Sequence, residues 1–185
     1  MKQFYVEKKI KASVFDPEEL SPKIKQLFEH AIEVRKNAQA PYSNFYVGVA
    51  VVSGEGIIYS GCNVERASWT QTTHAEQNAI DSMVAYEGPS KIKALVLVAA
   101  PKDKEIVIGL KSGEEQKRLS IEDIPVPCGH CLQIIWENCF DDANVPLFGL
   151  LPIGKISQTV IGDALPMRFG PTDLGVDYSR LRGGV

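Results

Sequence analysis

The sequence has 185 residues but contains no long hydrophobic run. Its longest unbroken apolar stretch extends from Ala94 to Pro101, whereas a membrane-spanning helix needs about 20 mainly apolar residues. The N-terminal segment MKQFYVEKKIK also lacks the apolar core of a secretory signal peptide. These absences predict a cytoplasmic protein that has no membrane partner.

Neither sign of charge is in excess, because 20 basic and 23 acidic residues give a net charge of −3. Basic residues cluster only at Lys8, Lys9 and Lys11. A surface that binds nucleic acid needs concentrated positive charge, so the sequence predicts no nucleic-acid partner. The hydrophobic fraction of 44% and the charged fraction of 23% are typical of globular chains, which excludes a disordered protein, a collagen and a coiled coil.

Cysteine is scarce, with four residues in the whole chain, and two of them form a Cys-x-x-Cys pair. This usage favours a reducing compartment and metal or redox chemistry over a disulfide framework. The length predicts a single domain over residues 1–185. Within it, residues 1–20 are interpreted as an N-terminal extension. Residues 102–126 are interpreted as an insertion-like segment, because unstructured loops longer than about 12–15 residues are uncommon.

Patterns of apolar residues predict alternating strands and helices. Runs typical of strands lie at 46–52, 57–62, 94–100 and 145–151. Helical periodicity is found at 22–38, at 74–86 and after residue 128. Ser21 and Pro22 form a helix start, and Thr72 and Thr73 can cap the second helix. From the first strand onward the order is β-β-α-β-α-β, which predicts an α/β fold with helices covering a mixed sheet.

Two motifs carry residues that bind metals, His74-Ala75-Glu76 and Pro127-Cys128-Gly129-His130-Cys131. Zinc prefers imidazole nitrogen and thiolate sulfur in a site of about four ligands. Cys128 and Cys131 are three positions apart at a predicted helix start, so both sulfurs face one side, where the helix N-terminus favours thiolate. Together with His74 they predict one zinc ion per chain and leave a fourth position for water, as in catalytic sites. Glu76 is then the natural proton shuttle.

Each motif also has a simpler interpretation. The Cys-x-x-Cys pair alone can be a redox pair or half of a structural zinc site. The occurrence of both motifs, each at a helix start, favours catalytic zinc. His130 lies between the two cysteines and is expected to be exposed. Cys62 and Cys139 have no partner motif and are expected to be core thiols.

Four longer segments, one of which contains the His74 motif, lie between about residue 20 and residue 175. They are Ala40-Pro41-Tyr42-Ser43-Asn44-Phe45, Gly61-Cys62-Asn63-Val64-Glu65-Arg66-Ala67-Ser68, His74-Ala75-Glu76-Gln77-Asn78-Ala79-Ile80 and Phe169-Gly170-Pro171-Thr172-Asp173-Leu174. With the later cysteine motif, this combination resembles the cytidine deaminase family in its His/Cys/Cys-ligand form.

The resemblance implies a three-layer α/β fold, in which helices cover both faces of a mixed sheet. It implies hydrolytic deamination of cytidine and deoxycytidine to uridine and deoxyuridine, with release of ammonia. His74, Cys128 and Cys131 would bind zinc, and Glu76 would act as general acid and base. The family builds its sites at subunit interfaces, which implies a homodimer or homotetramer with shared active sites.

Substrate-binding residues are also implied by the resemblance rather than by the pattern of the residues themselves. Asn63 and Glu65 would hydrogen-bond the 3′-hydroxyl of the sugar, and Phe45 would stack on the pyrimidine. Backbone groups near Ala75 and Val126 would hold the edge of the base. The implied substrate is therefore a free nucleoside.

Three other functions fit parts of the pattern. Departures from the family at Arg66, at Trp69 and over residues 102–126 suggest an N4-substituted cytosine nucleoside or a cytosine-bearing antibiotic as the substrate. A nucleic-acid-editing deaminase would need a basic groove, which the net charge disfavours. A zinc-binding module without catalysis would not need Glu76.

The insertion-like segment has two interpretations. It leaves a predicted buried strand and returns directly before Pro127, so both of its ends are expected near the active site. Residues 113–119 are charged and compatible with a helix, whereas residues 106–108 and Leu110 are apolar and need burial. The segment is either a tolerated surface insertion or a wall of the pocket beside the exocyclic amine that selects N4 substituents.

Overall fold

The computed structural model describes residues 4–109 and 119–178, in which six strands form one sheet. The strands are β1 (Ser13–Phe15), β2 (Phe45–Ser53), β3 (Ile58–Cys62), β4 (Ile92–Pro101), β5 (Pro146–Leu150) and β6 (Ile156–Val160). The helices are α1 (Pro22–Arg35), α2 (Ala75–Glu87), α3 (Gly129–Asn138) and the short α4 (Ile161–Ala164). Strand order across the sheet is β1-β6-β5-β4-β2-β3. The β4–β5 pair is parallel and the other adjacent pairs are antiparallel, so the sheet is mixed.

Helices cover both faces of the sheet. On one face, Leu27 and Phe28 of α1 pack with alternate residues of β2 and β4, including Val96. On the other face, Ile80 of α2 and Ile135 of α3 pack with the residues of opposite parity on the same strands. Burial of both faces explains why β4 is an almost continuous apolar run. The predicted α/β layered fold is thus confirmed.

Helix boundaries differ from the predicted ones at two points. The α1 helix ends at Arg35, three residues before the predicted end, although Ser21 caps its start as expected, with Oγ accepting from the N–H of Ile24 at 3.5 Å. The residue that caps α2 is His74 rather than Thr72 or Thr73. His74 has extended backbone, and its carbonyl accepts the first helical hydrogen bond, from the N–H of Asn78 at 2.9 Å. His74, a predicted metal ligand, thus lies at the start of α2, where the sequence predicted it.

Close packing at Gly61 fixes the position of α2 on the sheet. A Cβ atom at Gly61, in β3, would lie 2.4 Å from the amide nitrogen of Ala79 and 2.7 Å from the carbonyl oxygen of Ala75. Because only glycine allows this approach, the backbone of α2 lies directly on β3. The start of α2, and with it His74, is therefore set against the end of the hairpin.

Arg35 connects α1 to the adjacent ends of β2 and β4. Its Nε donates to the carbonyl of Tyr46 at 2.9 Å, and its Nη2 donates to the carbonyls of Ala100 and Pro101 at 2.7 and 2.8 Å. The side chain is buried, and this burial lowers the pKa of the guanidinium. Arg35 thus holds the ends of β2 and β4 from one face of the sheet, and Phe45 begins β2 at this end.

The N-terminal residues lie along the outer edge of the sheet. The strand β1 pairs with β6, and Lys8 forms a salt bridge with Asp163 at 3.3 Å. The hydroxyl of Thr159, in β6, donates to the carbonyl of Lys11 at 2.9 Å. In the described parts of the chain, no helix combines the length and the apolar character needed to cross a membrane.

The insertion-like segment is described on both sides of residues 110–118, so most of the charged stretch at 113–119 and Leu110 lie outside the described residues. Ile106 packs against the α1 face of the core, and the N–H of Gly109 donates to the carbonyl of Gly154 at 2.9 Å. On the returning side, Pro125 lies against Gly149 of β5. The described ends of the segment are thus packed on the sheet and on the β5–β6 turn.

Candidate active site

Three side chains with metal-binding atoms meet at the starts of two helices. His74 precedes α2, Cys128 caps α3, and Cys131 lies in the first turn of α3. The Nδ1 atom of His74 lies 3.5 Å from Sγ of Cys128 and 3.2 Å from Sγ of Cys131. All three ligand atoms lie within 4.8 Å of one another. The structure thus brings together the three residues that the sequence predicted as metal ligands.

The spacing and chemistry of these atoms fit a tetrahedral zinc ion. Zinc binds thiolate sulfur at about 2.3 Å and imidazole nitrogen at about 2.0–2.1 Å, so neighbouring ligand atoms in a tetrahedral site are roughly 3.5–3.8 Å apart. The observed nitrogen–sulfur distances of 3.2 and 3.5 Å are close to this range. Two sulfurs and one imidazole nitrogen are also donors that zinc prefers. Three protein ligands leave one tetrahedral position for a ligand from outside the protein.

Glu76 lies beside the sulfur atoms without belonging to the ligand set. It is in the first turn of α2, and its side chain is 6% exposed. Burial raises the pKa of the Cys131 thiol, and the neighbouring Glu76 carboxylate and Cys128 thiol raise it further. A divalent cation would offset this concentration of negative charge, which is a second reason why the residues fit zinc.

One cavity of about 510 Å³, called here the main cavity, contains nearly all the predicted site residues. Seven of the eight line it: Phe45, Asn63, Glu65, His74, Ala75, Glu76 and Cys128. Cys131 is fully buried behind the cavity wall. The lining combines metal-binding residues, His74 and Cys128, with two polar residues, Asn63 and Glu65. This combination suits a substrate that reacts beside the metal-binding residues and is recognised by the polar ones.

The remaining cysteines and His130 lie as the sequence predicted. His130 is exposed, and its ring centroid lies 5.6 Å from that of His74. Cys62 and Cys139 are buried free thiols. Burial raises the pKa of both, to about 12 for Cys139, so both remain neutral thiols at physiological pH.

Glu65 is a buried carboxylate held by the loop that precedes β2. Its Oε2 accepts from the N–H groups of Tyr42 at 2.9 Å and Ser43 at 3.2 Å, and its Oε1 accepts from the Ser43 hydroxyl. Burial alone would raise the pKa of Glu65, but these three hydrogen bonds outweigh it and lower the pKa. A carboxylate has about four acceptor positions, so one remains for a hydroxyl in the cavity.

Asn63 is fixed by the backbone of β2. Its Nδ2 donates to the carbonyl of Phe45 at 2.9 Å, and its Oδ1 accepts from the N–H of Val47 at 2.9 Å. An amide side chain has two donor hydrogens and two acceptor lone pairs, so one of each remains for a ligand. Asn63 and Glu65, two positions apart, are therefore preorganised polar groups in one wall of the cavity.

Several lining residues were not predicted from the sequence. Val47, Leu97 and Ala99 form the floor, because alternate side chains of β2 and β4 point toward α2 and α3. Trp69 lines the rim, is 63% exposed and contacts Tyr42, with 5.5 Å between ring centroids. In the sequence Trp69 stands out only as a departure from the family, and its aromatic character was the available signal for a binding role. The floor residues are ordinary strand residues and give no such signal.

The insertion-like segment also reaches the main cavity. Pro125 and Val126, at the end of the segment, lie in its wall beside Cys128. Val126, whose backbone was predicted to contact the base, thus lies in the cavity wall. Residues 104–107, at the beginning of the segment, line a different cavity, which adjoins the main cavity at Phe45.

Comparison with known proteins agrees with the site. A sequence model described as the cytidine and deoxycytidylate deaminase zinc-binding region matches residues 21–145, about two thirds of the chain. The chain belongs to this family. The matched region contains the three predicted metal ligands and Glu76.

Similar proteins of this family cover most of the chain. A cytidine deaminase of Sporosarcina psychrophila is 31% identical over 151 residues, which are 82% of this chain and 94% of the relative. A cytidine deaminase of Halalkalibacterium halodurans is 31% identical over 148 residues, which are 80% of this chain and 95% of the relative. The crystal structure of cytidine deaminase from Burkholderia pseudomallei superimposes with a TM-score of 0.58 at 32% identity, over 78% of this chain and 98% of that chain.

Proposed function

We propose that the protein is a zinc hydrolase that converts cytidine and deoxycytidine to uridine and deoxyuridine and releases ammonia. One observation carries this proposal: His74 and Cys128 of the metal cluster line the same cavity as Glu76, Asn63 and Glu65. The metal cluster with Glu76 suits hydrolysis of an amidine, and Asn63 with Glu65 suits recognition of a sugar. The relatives named cytidine deaminase, at 31% identity, support the same reaction.

The two thiols and the imidazole would hold the metal, and Glu76 would move the protons. Bound zinc would act as a Lewis acid that lowers the pKa of water, so that water can lose a proton and attack a carbon atom near neutral pH. Glu76 would accept a proton from the attacking water and deliver it to N3 of cytosine. It would then help to protonate the exocyclic amine, which leaves as ammonia when the bond from C4 breaks. Water and cytidine thus give uridine and ammonia without any further reactant.

The polar residues of the main cavity would bind the sugar, and its aromatic wall would bind the base. Glu65, ionised and with one acceptor position free, would accept a hydrogen bond from the 3′-hydroxyl. Asn63 would donate to the same oxygen with its free N–H. Phe45, 45% exposed in the cavity wall, would stack on the pyrimidine, and the backbone near Ala75 and Val126 would hold its edge.

The assembly and compartment also belong to this proposal. A homodimer or homotetramer with shared sites is supported by exposed aromatic side chains, including Trp69 at the rim of the main cavity and Phe169. A cytoplasmic location is supported by four free cysteines, two of which form the zinc pair. Sedimentation of the zinc-loaded protein measures the assembly.

The test is an ultraviolet assay combined with ammonia detection. Zinc-loaded protein is mixed with cytidine, deoxycytidine and an N4-alkylcytidine in parallel. Loss of the cytosine spectrum together with an equal amount of ammonia is expected for the first two substrates. No ammonia from either of them, in a preparation that contains about one zinc per chain, would refute the proposal. Faster turnover of the N4-alkyl compound would transfer the assignment to modified nucleosides.

A further inference from the structure

A second cavity adjoins the main one and has nearly the same volume, about 500 Å³. This second chamber is lined by residues 99–101, 104–107 and 150–152 together with Phe45. Phe45 and Ala99 line both cavities, so they form a shared wall. Among the described residues that line the second chamber, none belongs to the metal cluster or is Glu76.

The shared wall is hydrogen-bonded to residues that are proposed to bind the sugar or that hold them. The carbonyl of Phe45 accepts from Nδ2 of Asn63 at 2.9 Å, and its N–H donates to Oγ of Ser43 at 3.0 Å. Ser43 in turn binds the carboxylate of Glu65. Phe45 is therefore tied through its backbone to both residues proposed to bind the sugar. The Phe45 side chain is proposed to stack on the base, whereas its backbone contacts the residues around the sugar and none of the metal ligands. A group that enters the second chamber beside Phe45 would therefore be carried by the sugar and not by the reacting amine.

The walls of the second chamber favour a neutral, partly apolar group. Residues 106–107 and 150–152 contribute isoleucine, valine, leucine and proline side chains. Among the described residues of its lining, the charged side chains are Lys104 and Glu105, which are adjacent and opposite in sign, so these residues together contribute no net charge. A phosphate group would meet one cation and one anion beside apolar walls, which does not repay its desolvation. An acyl chain would bury apolar surface without leaving a charge unpaired.

We propose that the second chamber extends the nucleoside site and binds a neutral acyl substituent on the 5′-oxygen of a cytosine nucleoside. This inference rests on the proposed function, in which Asn63 and Glu65 hold the 3′-hydroxyl and leave the 5′ position free. The beginning of the insertion-like segment then selects substituents on the sugar, in contrast to the N4 selection predicted from the sequence. Its end, at Pro125 and Val126, remains part of the main cavity.

Substrates of increasing length test the proposal on the unmodified protein. The kcat/KM is measured for cytidine and for its 5′-O-acetyl, 5′-O-butanoyl and 5′-O-hexanoyl esters, with cytidine 5′-monophosphate and N4-alkylcytidines as comparisons. Each added CH₂ group is expected to raise kcat/KM about two- to fourfold. Deamination of cytidine with a flat or falling acyl series would overturn the inference. A rise in kcat/KM that is found only for cytidine 5′-monophosphate or only for the N4-alkylcytidines would overturn it as well.

Two variants on the same segment provide a matched pair. Val107→Trp fills the second chamber, whereas Ile108→Trp changes the next residue, which is 39% exposed and lines a separate depression near α1. Val107→Trp is expected to lower the ratio of hexanoyl ester to cytidine turnover at least tenfold, and Ile108→Trp to leave the ratio unchanged. Equal ratios in both variants would contradict the inference. Val107→Phe, a smaller change, replaces Val107→Trp if that variant does not fold.

A binding measurement separates this inference from the proposed function. Calorimetry on the zinc-loaded protein gives affinities for uridine and for 5′-O-acyluridines, independently of turnover. If cytidine is not deaminated, the proposed function fails, and a rise in affinity with acyl length still supports acyl binding in the second chamber. Affinity that does not change with acyl length overturns acyl binding in this chamber, whether or not the protein is active.

Discussion

Ser43 contacts both carboxylate oxygens of Glu65, with its hydroxyl on Oε1 and its N–H on Oε2 at 3.2 Å. One residue of the loop before β2 therefore fixes the rotation of a carboxylate that follows β3. The same hydroxyl oxygen accepts from the N–H of Phe45 at 3.0 Å. Sugar recognition and the aromatic wall of the cavity thus depend on a single serine.

The first prediction concerns the pH dependence of stability. The folded-state pKa of Glu65 is lowered, so its hydrogen bonds stabilise the fold fully above the unfolded value of about 4.5 and are lost as pH falls through the folded value. Glu65→Gln, which keeps the shape, is expected to lose about 1–2 kcal/mol of unfolding free energy at pH 7. Urea unfolding at pH 7 and at decreasing pH below about 4.5 measures the difference between the two proteins. A difference that is the same at every pH would contradict the assignment.

The second prediction concerns the metal ligands. Cys131→Ala removes one of three protein ligands, so zinc content is expected to fall from about one per chain to a small fraction. Cys139→Ala is the matched control, because Cys139 is also a buried thiol but has no place in the cluster. It is expected to keep its zinc. Metal analysis after dialysis against a weak chelator distinguishes the two, and full zinc in Cys131→Ala would exclude this residue as a ligand.

The third prediction separates proton transfer from metal binding. Glu76→Gln keeps size and polarity but cannot carry the proton, so kcat is expected to fall by about 10²–10⁴-fold or more with zinc unchanged. Asp81→Asn, on the exposed side of the same helix, is the control for loss of one negative charge and is expected to retain activity. Turnover near the normal rate in Glu76→Gln would exclude the proton-transfer role.

The fourth prediction concerns the contact between β3 and α2. Gly61→Ala places a methyl group 2.4 Å from the amide nitrogen of Ala79, so the helix must shift, at a cost of about 1–3 kcal/mol. Because His74 caps that helix, zinc affinity is expected to fall too. Gly129→Ala, next to the ligand Cys128, is the control. Apart from its chain neighbours and its own helix backbone, the added methyl group has no described atom within 4 Å, so the variant is expected to be neutral or stabilising. Thermal unfolding with and without zinc measures both effects, and equal behaviour of the two variants would argue against the contact.

The metal cluster could be predicted from the sequence because its residues lie in two short motifs. Cys128 and Cys131 are brought together by one helical turn, and the position of His74 before a helix is also a local property. The layered fold could be predicted for a similar reason, since each long strand carries its own apolar pattern.

Features that depend on distant parts of the chain could not be predicted in this way. The edge strand β1 has three residues, too few for a pattern, and exists because β6 pairs with it. Leu97 and Ala99 line the main cavity only because α2 and α3 cover that face of β4. The second chamber combines residues 104–107 with residues 150–152, which no local pattern connects.

The pairing of β1 with β6 has a consequence for the order in which the chain folds during synthesis. Val14 pairs with Ser157, about 140 residues later, and the contacts of Lys8 and Lys11 are also made with residues 159–163. At about 5–20 residues per second, the ribosome needs roughly 7–30 s to produce this partner strand. During that interval the N-terminal segment has no strand to pair with, while α1, β2 and β3 can already assemble. Docking of the extension is therefore expected to be among the last steps of folding.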